Sequence, residues 1–321
     1  MEAALAVLLA RRVGVLLLTM LCLTMIVFAL VNLEPNLLKL AKEQAGGRIS
    51  PAEAQFWLDQ HGFNRPFLTR YGEWLVGVVR GDLGHSTRFN APVAEVLWPR
   101  VRLTGLLMFW VMLVMVPGAL VIGVLAGMRE GSALDRLLST LAILTTSTPE
   151  YVSGVVLTVI FASQMVGLQW LSGSATKAAE DGPTLQTFTL PVLTVAIYGM
   201  GYIARMTRAS MAEVMTQQYV RTARLKGLSF RAVVLRHALR NALIAPFTVI
   251  MLQFPWLLTG VVIVETLFNY RGFGWLLVEA SANNDIDLLL ACALVAVVIV
   301  LATQLVSDIG YAWLNPRIRV G

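Results

Sequence analysis

Residues 219–246 read YVRTARLKGLSFRAVVLRHALRNALIAP, and this polar interval between two strongly apolar segments decides the fold around it. From Arg205 to Leu243 there are eight Arg or Lys residues and one acid, Glu213. Such a bias between membrane spans marks a cytoplasmic loop. The pattern is helical and punctuated. Tyr219 to Lys226 fits two turns, Gly227 stands at a left-handed stop, and apolar Leu228 follows, as in a Schellman ending. Ser229 is placed to cap a second helix from Phe230. Pro246 fits the first turn of the next helix, where a missing N–H costs little. The stretch therefore predicts helix, glycine turn, helix, membrane. A short, rigid, cationic helix pair suits docking onto a soluble partner, whereas the charge alone is equally that of a solvated loop.

Composition agrees with the membrane setting. The chain has 321 residues, 57% of them hydrophobic and 14% charged, with a mean hydropathy of +0.71. Soluble domains average about 25% charged residues, so an all-α integral membrane protein is expected. The net charge of +6 does not point to nucleic acid, because the cations are parcelled between apolar spans without interleaved aromatics. Cys22 and Cys292 both lie in apolar runs, so neither a disulfide framework nor a thiol metal site is suggested. The run Val13–Val31 after Arg11-Arg12 is too long for a signal-peptide core and no small-residue cleavage site closes it. It reads as a retained span with its N-terminus inside.

Six segments approach the roughly 20 apolar residues that cross a bilayer: about 10–32, 104–128, 138–163, 187–206, 244–266 and 288–313. The polar stretch 33–103 forms an extracytoplasmic insertion with a short helix after Ser50-Pro51. Its later part is amphipathic, with Phe67, Tyr71, Trp74, Leu75 and Val78 on one face and two aromatics suited to the interface. The expected division is residues 1–103, span and insertion, and 104–321, a permease domain with a cytoplasmic loop at 207–243. With both termini inside, fourteen Lys and Arg fall on the cytoplasmic side and eleven outside, nine of those in the long insertion, which weighs least.

A few residues inside the spans carry chemistry. Pro149 and Glu150 interrupt the third span, and Glu150 lies about 20 Å along a helix from Leu137. An ionisable group at that depth is a candidate for the pathway or an interhelical contact. Glu265 and Asp308 stand near span ends, where a solvated carboxylate is the plain reading. Gly123-x-x-x-Gly127 reads as close helix packing.

The 219–246 stretch resembles the cytoplasmic "EAA" loop of binding-protein-dependent ABC importer permeases. Arg221-Thr222-Ala223 stand at the motif positions and Gly227 follows four residues after the alanine; Asn241 to Pro246 resembles the loop's ending. Arg221 and Thr222 replace the glutamate and first alanine, a variant similar to the peptide-transporter branch. RPFLTRYGEWLVGVVRGDLGHS (65–86), STPEYVSGVVL (147–157), ETLFNYRGFGWLL (265–277) and LVSDIGYAWLNPRIRV (305–320) resemble successive segments of the dipeptide, oligopeptide and nickel permeases. Asn283–Asp287 and Trp170–Gln186 depart from that pattern. The resemblance implies a type I ABC importer permease fold with six transmembrane helices in the inner membrane. It implies ATPase docking through Arg221, Thr222, Ala223, Arg224 and Gly227, with Ala223 on the docking face. The implied partners are a second homologous permease, two ATPase subunits, an extracytoplasmic binding protein and membrane lipid. It implies no cofactor on this chain, with ATP and Mg on the ATPases, and a peptide, nickel chelate or opine as substrate.

Other chemistry is missing. No G-x-x-x-x-G-K-[ST] is present. Gly199-Met200-Gly201 imitates a dinucleotide fingerprint inside an apolar span, without the strand that motif needs. His61, His85 and His237 have no metal-ligand spacing, and His85-Ser86 has no accompanying oxyanion loop. A self-contained secondary transporter or channel is the alternative of another class. It requires internal repeats or a polar midplane relay, and only Glu150 hints at the latter.

Overall fold

The computed structural model describes residues 2–45, 47, 49–164 and 169–314, with side chains for all of these except 2–12, 259–260 and 307–314. The Arg11, Arg12 and Asp308 side chains and the Asn315-Pro316-Arg317 tail lie outside that set. The described chain is overwhelmingly helical, as expected where only internal hydrogen bonds can satisfy the backbone. In order it forms α1 (Glu2–Val31), α2 (Glu34–Gln44), α3 (Pro51–Gln60), α4 (Phe67–Val79), a small hairpin of β1 (His85–Ser86) and β2 (Ala91–Pro92), and α5 (Val93–Gly127). Then come α6 (Ala133–Ser147), α7 (Glu150–Phe161), α8 (Thr176–Glu180), α9 (Leu185–Met215), α10 (Gln218–Leu225) and α11 (Phe230–Ala232). A π-helical turn (Val233–Ala238) leads to α12 (Leu239–Ala242), α13 (Ile244–Leu267), α14 (Phe273–Ala282) and α15 (Ile286–Leu314).

Among the described residues, four helices are long and apolar enough to cross a membrane: Val13–Val31 within α1, α5, α9, and Ile286–Val306 within α15. Two bent pairs raise the number to six if each counts as one span: α6 with α7, bent by 107°, and Phe230–Ala242 with Ile244–Leu258, bent by 50°. The first bend has a local cause. Pro149 drives the preceding Thr148 out of helical geometry, to φ −97° and ψ 123°. The helix ends there and restarts at Glu150.

Described residues up to 102, together with 275–301, form one compact unit; 103–274 with those from 302 onward form another. Contiguity along the sequence thus differs from contiguity in packing, since 275–301 groups with the N-terminal segment. In the first unit α3 begins with a capping box: Ser50 Oγ accepts from Glu53 N–H and Glu53 Oε2 accepts from Ser50 N–H. Those bonds hold the Glu53 carboxyl below the usual carboxylate range. The amphipathic face of α4 packs on α1, with Phe67, Tyr71 and Trp74 at ring-centroid distances of 5.6, 5.5 and 5.8 Å from Phe28.

Asp285 anchors the hairpin. It is fully buried and accepts from Ser86 Oγ at 2.6 Å, Arg88 N–H at 3.1 Å and Leu288 N–H at 3.2 Å. A buried carboxylate is tolerable only with such partners. Of the two acids in the unusual 283–287 stretch, Asp285 is therefore structural, and the Ser86 hydroxyl is committed to it.

In the second unit α9 is the central helix: 61% of its apolar window is buried, against 11% for that of α1. It owes this position to small residues. A methyl on Gly123 would lie 2.4 Å from Thr207 Cβ, one on Gly127 would lie 2.5 Å from the Arg208 carbonyl oxygen, and one on Gly201 would lie 2.6 Å from the Ala142 carbonyl oxygen. Helices in lipid associate through close van der Waals contact of this kind. The expected packing role of Gly123 and Gly127 is met, and Gly199-Met200-Gly201 finds its use there too.

Glu265 departs from expectation. It is not a solvated helix end but fully buried, with the Thr104 hydroxyl donating to Oε1. Thr104 Oγ1 in turn accepts from Phe273 N–H at 2.7 Å. The cause is the turn after α13, which folds back so that Tyr270 N–H reaches the Glu265 carbonyl at 2.8 Å. Gly272 lets the turn approach, since a methyl there would sit 2.3 Å from Glu265 Oε1.

Candidate functional site

The basic loop folds as its punctuation predicts. α10 ends at Leu225, Lys226 caps it, and Gly227 has φ +77°. Gly227 N–H donates to the Arg224 carbonyl at 3.0 Å and Leu228 N–H to the Ala223 carbonyl at 3.4 Å, the paired bonds of a Schellman ending. Ser229 Oγ accepts from Ala232 N–H and opens α11. Pro246 falls in the first turn of α13. One feature was illegible in the sequence: the π-helical turn, closed by Leu239 N–H on the Val234 carbonyl five residues back.

Each face of the helix pair has its own job. Val220 and Ala223 turn inward onto Val233, Val234, Ala238 and Ala242, and onto Met211 of α9. Here a correction is needed: Ala223 is only 4% exposed, so it does not lie on an outer face. Its small side chain lets α10 close against the π turn and α12. Arg221, Thr222, Arg224 and Gly227 are exposed. Among these cations stand exposed apolar residues, Leu225 at 80% and Leu235 at 62%, with Leu228 and Phe230 less so. Apolar groups ringed by cations on a rigid support are the chemistry of a protein-docking surface.

The loop is tied within itself, to α9 and to the turn after α5. Asn241 Nδ2 donates to Tyr219 Oη at 2.9 Å, Ser210 Oγ donates to the Ala242 carbonyl at 2.8 Å, and Arg129 lies over the Phe230 ring at 5.4 Å. One turn up α9, Arg208 grips Asp135 of α6 through Nε at 3.0 Å and Nη2 at 2.8 Å. Asp135 also accepts from Gly131 N–H and Ser139 Oγ, so its oxygens are fully engaged. A two-pronged guanidinium–carboxylate bond fixes orientation as well as distance.

Two cavities, of 570 and 470 Å³, open between α6, α9 and α13. Both are lined by Tyr202 and Arg205, so they adjoin along α9 as a cleft of two chambers. Glu150 does not line it. Glu150 sits at the first position of α7, 9% exposed, and its Oε2 has no hydrogen-bond partner among the described residues. The structure thus gathers the loop residues at one surface and leaves Glu150 apart from it. No group of three or more His, Cys, Asp or Glu suited to a metal occurs among the described residues.

With this geometry in place, the comparisons are specific. The sequence pattern of a family described as "Binding-protein-dependent transport system inner membrane component" matches residues 119–320. The chain is 32% identical to a putative peptide transport system permease protein of Brucella abortus, over 97% of this chain and 98% of that one. The chain belongs to this family. The permease is also 34% identical to the probable peptide ABC transporter permease protein y4tP of Sinorhizobium fredii, over 81% of this chain and 83% of the relative. It is 31% identical to the dipeptide transport system permease protein DppB of Escherichia coli, over 96% and 97%. It is a multi-pass inner-membrane ABC permease, a transport subunit without an ATPase site of its own.

The cleft escaped the sequence reading, although a signal for it existed. Tyr198, Tyr202 and Arg205 recur at i, i+4 and i+7 in an otherwise apolar helix, a polar stripe that no lipid-facing side would carry.

Replacing Glu150 tests its place. Leucine removes all hydrogen-bonding capacity from a buried position, while glutamine keeps that capacity and removes only charge. Glu150→Leu is therefore expected to lower uptake several-fold more than Glu150→Gln. Wild-type uptake by both variants identifies Glu150 as a tolerated helix residue.

Proposed function

We propose that the permease is one half of the translocation pathway of an ATP-driven importer for peptides or related small solutes. Each bent helix pair counts as one span in this reading, giving six transmembrane helices in a type I ABC importer fold. Both termini and the 207–243 loop face the cytoplasm, and residues 33–103 form the extracytoplasmic insertion. A second, homologous permease completes the pathway. Two ATPase subunits carry ATP and Mg and dock on the loop through Arg221, Thr222, Arg224 and the turn at Gly227, while this chain holds no cofactor. An extracytoplasmic binding protein delivers the solute. ATP-driven closure of the ATPases moves the helix pair, and its ties to α9 carry that motion into the spans. Glu150 serves a pathway or interhelical contact.

The observation that carries the reading is the loop surface, with exposed Leu225 and Leu235 among cations on a rigid helix pair. The names of the relatives support peptides as substrate; a nickel chelate or opine remains the alternative within the same architecture.

Purification through a tag on this chain is the test. The native complex is expected to contain a separate ATPase, and the chain alone to hydrolyse no ATP. Specific turnover by the purified chain, free of other subunits, would falsify the division of labour. Cysteines at Gln218 and Gln60 add the topology: the first is labelled only from the cytoplasm, the second only from outside. The reverse pattern overturns the loop assignment.

A further inference from the structure

The two-chambered cleft has a composition of its own. Tyr198, Tyr202 and Arg205 occupy one face of α9 over two turns, about 10 Å at ~1.5 Å per residue. Gln253 and Trp256 come from one face of α13, and Thr146 from the end of α6. Trp256 stacks on Tyr198 with ring centroids 5.0 Å apart and planes 18° from parallel, which makes a flat aromatic wall. Tyr202 is 53% exposed. A membrane helix turns such groups toward water or solute and not toward lipid.

Charge gives the cleft a direction. Asp135, Arg136, Arg205 and Arg208 line its larger chamber. Asp135 is taken by Arg208, Gly131 and Ser139. Arg205 is exposed and forms no ion pair among the described residues. The chamber therefore presents an open guanidinium next to aromatic, amide and hydroxyl groups. A guanidinium binds a carboxylate through parallel N–H donors, while the amide of Gln253 and the hydroxyl of Tyr202 match peptide groups; Thr146 Oγ1, which donates to the Ala142 carbonyl, offers only an acceptor.

We propose that this cleft is a transit site for the carboxylate end of a peptide, with Arg205 receiving the C-terminal carboxylate and the Tyr198–Trp256 wall flanking the residue before it. The proposal rests on the importer reading and names the part of the permease that meets the solute. It assigns that contact to α6, α9 and α13, which leaves Glu150 the interhelical contact.

The test uses the complete reconstituted transporter, with its binding protein and a radiolabelled mixture of di-, tri- and tetra-alanine. Arg205→Gln is expected to lower peptide moved per ATP hydrolysed about tenfold, the scale of one charge-assisted hydrogen bond. ATPase retention and ATP turnover stay at wild-type levels, and Arg205→Lys, which keeps the charge but loses the parallel donors, restores the transport only in part. In a variant lacking Cys22 and Cys292, cysteines at Tyr202 and Gln253 react with a water-soluble cationic thiol reagent. A cysteine at Leu141, exposed on the opposite side of α6, does not. Peptide in transit slows the first two reactions. Unchanged coupling in Arg205→Gln with the ATPase retained sinks the transit site alone. Unreactive cysteines at both cleft positions mean packed protein covers the cleft, which also overturns it. Absence of an ATPase from the wild-type complex removes the importer reading and this site together.

Discussion

Gly227→Val and Ala223→Trp are each expected to leave the permease in the membrane while stripping it of its ATPase and abolishing uptake. The two substitutions act by different physics. Gly227 has φ +77° and nothing within 4 Å of where a Cβ would stand, so the fault is in the backbone and not in a clash. A β-branched residue in that conformation costs on the order of 1 kcal/mol or more. The chain can escape by unwinding the turn, which breaks the bonds to the Arg224 and Ala223 carbonyls and swings α10 away from α11. A graded series follows: Asn, which tolerates the left-handed region, should retain most function, Ala less, and Val none. Ala223 fails through volume. An indole inserted among Val220, Val233, Val234 and Ala238 overpacks the seam by roughly 1–3 kcal/mol or forces the helices apart. Either way the exposed row of Leu225, Leu228 and Leu235 no longer presents one surface. Arg221→Ala and Arg224→Ala should be milder, because exposed charges contribute little individually. The measurement is ATPase co-purification with each variant, alongside membrane abundance and uptake. Full ATPase retention and uptake in both bulky variants would reduce the stretch to a basic surface loop.

Gly272→Val is expected to damage the fold itself. Its side chain would start 2.3 Å from Glu265 Oε1 and 2.5 Å from Thr104 Oγ1, in a turn whose neighbours are fully buried. Relief requires the turn to lift from α13, exposing Tyr270 and parting Thr104 from the Phe273 N–H. Each buried polar group left unpaired costs about 1–3 kcal/mol, so the loss is a large share of the stability of a typical domain. A markedly lower thermal midpoint in detergent and reduced membrane abundance should result. Glu265→Gln keeps an acceptor for the Thr104 hydroxyl and should be much milder, while Thr104→Val should fall between the two. A Gly272→Val protein that melts with wild type would show that the turn does not press on Glu265.

The sequence alone determined the features that local chemistry controls. Membrane class followed from hydropathy, because an apolar run of sufficient length has few alternatives to a bilayer. The helix start after Ser50-Pro51, the break at Pro149 and the stop at Gly227 were all legible, since each is set by a residue's own backbone preferences and its immediate neighbours. The family was legible in the order of residues around that stop. What only tertiary structure decided depends on which way a side chain points and what stands opposite. Ala223 reads the same whether it faces a partner or its own loop, and the packing of α10 on the π turn settled the direction. Glu265 and Asp285 look like carboxylates at helix ends; only partners 161 and 199 residues away in sequence, Thr104 and Ser86, make them buried anchors. The cleft needed faces of three helices brought side by side; the polar stripe of α9 marks one wall, and only packing supplies the other two. Such contacts join residues far apart along the chain, and their free energy exists only once the chain has folded.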